Sequence, residues 1–141
     1  MSSNEITLAE ILNKNNYKTG IFGKWHLGDN YPSRPSDQGF QESLIHLSGG
    51  IGQVGDFTNY YKGNTSYFDP TLWLNNNQKK YNGYCSDIFT DEALKFIEKN
   101  KDNQFFCYLS FNAPHTPLQV PDKYVQMLSL IHISEPTRRY S

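Results

Sequence analysis

Apolar residues along the chain fall into two helical stripes and two strand-like runs, separated by a long polar stretch. Leu8, Ile11 and Leu12 recur at helical spacing behind Thr7-Leu8-Ala9-Glu10, which has the form of a capping box, and Ile6 and Ile11 occupy the staple positions. Asn15-Asn16 ends that helix, and Tyr17–Phe22 reads as a short strand. A second stripe, Ile88, Phe89, Ala93, Phe96 and Ile97, predicts a helix from Ser86 or Asp87 to Lys99, with acids near its start that suit the helix dipole. Phe105–Ser110 predicts a strand covered on both faces. Leu72-Trp73-Leu74 and Lys79-Lys80-Tyr81 flank an Asn-rich turn and predict a hairpin. Residues 28–70 are rich in Gly, Pro, Ser, Asn and Asp and read as a surface excursion near a site, with only short pieces of structure. The order α, β, insertion, hairpin, α, β predicts an α/β fold, a partial parallel or mixed sheet flanked by helices.

Composition adds limits. The 141 residues are room for one ordinary domain, and only 37% are hydrophobic, with Ala and Val at three each against ten Tyr and nine Phe. The core is therefore thin and aromatic. Thirteen Lys+Arg balance fourteen Asp+Glu without a long run of either sign, which argues against nucleic-acid and polybasic membrane partners. The longest clean apolar run, Phe105 to Leu109, is far short of a membrane span, and the polar Ser2–Glu5 does not read as a leader. Cys85 and Cys107 lie 22 positions apart, in no C-x-x-C pattern, and read as small hydrophobic side chains rather than as a disulfide framework or zinc site.

Both α/β units carry a histidine just past a strand's carboxyl end, the edge at which open α/β sheets bind ligands. Lys24 and His26, two apart in a segment read as extended, are expected to point the same way, with Trp25 turned into the core. A lysine beside an imidazole suits an oxyanion. His115 stands between Pro114 and Pro117, which restrict its backbone. A lone lysine there is ordinarily a solvated charge, and a lone histidine a hydrogen-bonded structural residue. Two such sites at one edge raise the odds of function.

Gly23-Lys24-Trp25-His26-Leu27-Gly28 resembles the second signature of the sulfatase family, within the alkaline-phosphatase-like superfamily. Asn112-Ala113-Pro114-His115-Thr116-Pro117-Leu118 is similar to another family segment, and His46-Leu47-Ser48-Gly49-Gly50-Ile51-Gly52-Gln53 to one seen in arylsulfatase-like members. The likeness covers about residues 4–127 and implies a sulfuric ester hydrolase acting on an aryl or carbohydrate O-sulfate. By resemblance, Lys24 contacts a sulfate oxygen, His26 bonds to a formylglycine hydrate, and His115 contacts sulfate and the leaving oxygen; His46 is a further candidate for substrate contact, with a turn-stabilising role as the alternative.

The resemblance also implies parts that this stretch does not carry. The formylglycine comes from a Cys in C-x-P-S-R or C-x-A-S-R upstream of the Gly23 motif, and no Cys precedes Gly23. Asn30-Tyr31-Pro32-Ser33-Arg34 mimics that motif with Asn in the Cys position, on the wrong side of Lys24, and is read as coincidence, with Arg34 a loop charge. The implied Ca²⁺ or Mg²⁺ takes two acids from before this segment and an Asp-Asn pair from beyond it, so Asp37, Asp56 and Asp69 are read as turn or loop acids. Residues 1–127 are thus expected to form part of a sulfatase α/β domain. Residues 128–141 include Ser129–Arg139, which resembles translated sequencing-adapter read-through, and are expected to be a non-native tail. The isolated fragment is expected to lack turnover and to be prone to aggregation. The family likeness implies a periplasmic or extracellular parent. Alternative readings are a phosphate or phosphonate ester hydrolase of the same superfamily, and a non-catalytic glycan-binding module. Oligomeric state is open.

Overall fold

The structure, a computed structural model, describes residues 4–129. Its frame is a five-stranded sheet in the order β4-β3-β2-β1-β5. Strand β1 (Lys18–Lys24) lies parallel to both β2 (Glu42–His46) and β5 (Phe105–Ser110). Strands β3 (Thr71–Leu74) and β4 (Asn77–Lys80) form an antiparallel hairpin on the far side of β2. The sheet is mixed, as the α/β reading requires, and the hairpin falls where the Asn-rich turn predicts it.

Helix α1 (Leu8–Lys14) begins on the capping box: the Thr7 hydroxyl accepts from Glu10 N at 3.1 Å, and the Glu10 carboxylate accepts from Thr7 N at 2.8 Å. Helix α2 (Cys85–Asn100) lays Ile88, Phe89, Ala93 and Phe96 on the sheet. Alternation along the strands sorts side chains between the two faces. Phe22, Leu44 and Leu72 join α2 in the larger cluster, while Ile21, Trp25 and Ile45 join Ala9 and Phe40 in the smaller one. Cys85 is wholly buried among the larger cluster, with its thiol pushed up to about 12 by burial, and Cys107 packs at that cluster's margin.

One expectation needs correction. The stretch 28–70 is not simply a surface excursion: it contains β2, which pairs on both sides and buries Leu44, Ile45 and His46, and it buries Ile51, Asp56, Asn59 and Tyr67. Strand β5 packs Phe105, Cys107 and Leu109 on the larger cluster and Phe106 on the smaller, so both of its faces make contacts, although Tyr108 stays 44% exposed; its lateral partner among the described residues is β1. The last helix, α3 (Asp122–Ser129), runs across the expected boundary at 127/128, and residues 130–141 of the expected tail lie outside the described residues. Among the described residues no helix is long and apolar enough to cross a membrane.

Candidate functional site

Lys24 closes β1, His26 follows it by two residues, and His115 follows the end of β5, so all three leave the sheet at the same carboxyl edge. The close spacing of β1 and β5 explains Gly23. Its φ is +121°, and a Cβ there would sit 1.8 Å from the Ser110 carbonyl oxygen, so only glycine fits. The Ser110 hydroxyl then donates to the Lys24 carbonyl at 2.6 Å, fixing the strand tip.

Trp25 turns inward as expected: it is buried edge-on to Phe40 with centroids 5.8 Å apart, and its indole N–H donates to the Ser33 carbonyl at 2.8 Å. His26 departs from the extended geometry expected of it. Its φ is +59°, a left-handed conformation that costs a residue with a Cβ roughly 1–2 kcal/mol. That twist lays the exposed imidazole against Gly49, where a Cβ would come within 2.7 Å of Nε2. Simple alternation therefore does not set the direction of His26. The loop beside it does.

His46 is paired in register with Lys24 on the neighbouring strand and is fully buried. The Leu47 carbonyl, 2.8 Å from Nδ1, can only accept, so Nδ1 carries the proton and Nε2 accepts from the Asn112 side-chain amide at 2.9 Å. Burial pushes this imidazole below its ordinary pKa, and the Lys24 charge adds to that, against weaker opposing pulls from the Leu47 carbonyl, Asp56 and Asp29. His46 is thus a neutral strut paired beside Lys24, engaged at both nitrogens and shielded from solvent.

His115 is exposed and lies between Ala113–Pro114 and Thr116–Pro117, both cis peptide bonds. Its Nδ1 is 2.6 Å from its neighbour's carbonyl, Thr116 O, and must donate to it, which leaves Nε2 free to meet a ligand. Gln53 Nε2 lies 3.2 Å from Nδ1 and donates to the same Thr116 carbonyl at 2.6 Å. The Tyr67 hydroxyl donates to the His115 carbonyl at 3.1 Å, and Tyr84 to the Gln119 carbonyl at 3.0 Å. Gln119 in turn accepts from Tyr67 N at 2.9 Å. Sequence reasoning did not assign Gln53, Tyr67, Tyr84 or Asn112 a role. Gln53 and Asn112 lie within the quoted family-like segments, but what each bonds to is visible only in three dimensions.

Three of the loop acids have hydrogen-bond partners of their own. Asp29 accepts from Ser48 N at 3.1 Å with both oxygens, and Asp69 from Gly83 N at 2.7 Å. Asp37 takes Arg34 through two side-chain bonds at 2.8 and 3.0 Å, and the Arg34 bond holds its carboxyl below the usual range. No group of three or more His, Cys, Asp or Glu among the described residues can hold a metal ion. Neither thiol suits a nucleophile's place, since burial raises both and Cys107 lies within β5.

A parallel-centred sheet between helices, with cationic and imidazole groups at one carboxyl edge, is the frame of an alkaline-phosphatase-like α/β domain. The Sulfatase family model matches residues 2–129. The chain belongs to the sulfatase family. It is 36% identical over 128 residues to an uncharacterised sulfatase of Schizosaccharomyces pombe, covering 84% of this chain and 22% of that protein. It is 31% identical over 135 residues to an N-acetylglucosamine-6-O-sulfatase of Bacteroides thetaiotaomicron, covering 95% of this chain and 21% of the relative. Among solved structures, that of Ps i-CgsB in complex with k-i-k-neocarrahexaose superposes with a TM-score of 0.77 at 35% identity, covering 92% of this chain and 31% of that one. The chain thus spans about a fifth of the length of these curated relatives.

Proposed function

We propose that this chain forms one wall of the active site of an enzyme that hydrolyses a sulfate ester borne on a glycan. The observation that carries the reading is the common edge: Lys24, His26 and His115 leave the carboxyl ends of adjacent parallel strands. Lys24 binds a sulfate oxygen and offsets its charge, and its position beside the neutral His46 keeps a second buried cation away from it. His115, with Nδ1 tied to Thr116 O, presents Nε2 to the ester oxygen that departs; as the imidazolium it gives that oxygen its Nε2 proton and is left neutral, with the Nδ1 proton still on Thr116 O. His26 stands as a hydrogen-bond partner beside the attacking group. A formylglycine hydrate, supplied from outside these residues, is the nucleophile that the family resemblance implies. The glycan assignment is supported by the neocarrahexaose complex of the neighbour that is 35% identical.

In the complete reading frame, Lys24→Ala and His115→Ala are each expected to lower kcat/KM on 4-nitrophenyl sulfate by about 10²–10⁴-fold. The 141-residue chain alone is expected to show no turnover above the Lys24→Ala/His115→Ala double variant, because groups that act as a unit leave no proportionate remainder. Wild-type activity on a phosphate monoester but not on sulfate would overturn the reading.

A further inference from the structure

The loop between β2 and β3 carries four large apolar side chains into solvent: Val54, Phe57, Tyr60 and Tyr61, with Phe57 83% and Tyr61 77% exposed. They border a groove of about 330 Å³. Phe57 is also a wall of a neighbouring groove of about 470 Å³ that includes Trp73, Asp29, Arg34 and Gln78. Four such side chains gathered at one open groove offer an apolar contact surface.

The loop is not slack. Asp56, fully buried, accepts from Gly52 N at 2.9 Å, from the Thr58 hydroxyl at 2.7 Å and from the Asn59 amide at 3.0 Å. Asn59, also fully buried, grips the start of β3, donating to Thr71 O at 2.9 Å and accepting from Thr71 N at 2.8 Å. Lys62 donates to the carbonyls of Phe68 and Asp69 at 2.5 and 2.7 Å. Residues 56, 58, 59 and 62 are thus fastened inward, and 57, 60 and 61, between them, are presented outward. The same loop meets the site twice, through Gly49 at His26 and through Gln53 at the His115 segment.

We propose that this loop is a glycan-positioning wall, in which Phe57, Tyr60 and Tyr61 stack on the apolar faces of sugar rings flanking the sulfated residue. The proposal rests on the reading above that the substrate is a sulfated glycan. A pyranose ring offers one face of C–H groups to an aromatic ring while its hydroxyls stay in water, which fits rings held rigidly at an open groove. Recognition of sulfate itself would ask for cations, and the cation on this 3-10 turn, Lys62, is spent on backbone carbonyls. The loop therefore reads sugar, and the strand edge reads sulfate.

The test uses the complete reading frame, with Phe57→Ala, Tyr60→Ala/Tyr61→Ala and the conservative Phe57→Tyr. Two substrate types are compared: 4-nitrophenyl sulfate, and sulfated hexasaccharides prepared from carrageenan, chondroitin sulfate and heparin. The ratio of kcat/KM on the best-used hexasaccharide to that on the aryl ester is expected to fall by about 10–100-fold in the alanine variants, mainly through KM, and to be retained in Phe57→Tyr. An unchanged ratio overturns the proposal, whether both substrates suffer equally or neither does. If the wild type hydrolyses no sulfate ester, the reading of the activity fails, and affinity electrophoresis through gels holding the three polysaccharides decides the wall. Retardation that Phe57→Ala abolishes supports it; no retardation of the wild type overturns it.

Discussion

The two imidazole-bearing rims of the site are held by different means. Lys24 and the start of the His26 segment are positioned by the sheet itself, through the register of β1 with β2 and β5 and through the Ser110 bond at the strand tip. The His115 segment lies beyond its strand and is held by side chains reaching across from Gln53, Tyr67 and Tyr84. Backbone pairing fixes a residue through many cooperative bonds. Tethers fix it through a few bonds that can be cut one at a time.

That difference can be broken at the loop. Asp56→Ala strips the acceptor from three donors, two of them on buried side chains, and is expected to cost more than about 3 kcal/mol, read as a lowered melting midpoint. Amide exchange should quicken across residues 49–60 and 113–119 while β1 and β2 stay protected. Equal loss of protection in β1 would mean that the two rims are one cooperative unit.

Acid sharpens the comparison on the strand side. His46 has a folded-state pKa lowered by burial, so above its ordinary value of 6.5 both states are neutral and it adds no pH dependence. Below 6.5 the unfolded chain takes up a proton that the fold refuses. Stability is then expected to fall by up to about 1.4 kcal/mol per pH unit, until the folded state titrates. Urea midpoints between pH 7.5 and 5 should show this slope, and His46→Gln should flatten it. A smaller effect is expected from Tyr67→Phe, about 1 kcal/mol for one lost bond, with faster exchange confined to residues 113–119. Faster exchange at β1 as well would contradict separate anchoring.

Much of the frame was legible because its signals are local. The Thr7/Glu10 box, the α2 stripe, the Asn75-Asn76 turn and the inward Trp25 each rest on spacing within a few residues. Strand β2 was hidden because two of its four buried residues, Ser43 and His46, are polar, so it offers neither an apolar run nor an alternation. The Asp56–Asn59 knot was hidden for a related reason: buried polar groups that satisfy one another look, in sequence, like solvated loop residues. At the site, Lys24, His26 and His115 were legible as residues and as an edge. The direction of His26 was not, since it depends on a left-handed backbone and on Gly49, 23 positions away.

The phenol of Tyr67 is pushed up to about 12, chiefly by burial, so it keeps its hydrogen through neutral and moderately alkaline solution. The clasp it forms on the His115 carbonyl is accordingly indifferent to acidity over any range an organism would offer. Any loosening of residues 113–119 in moderately alkaline solution will therefore not come from this latch letting go.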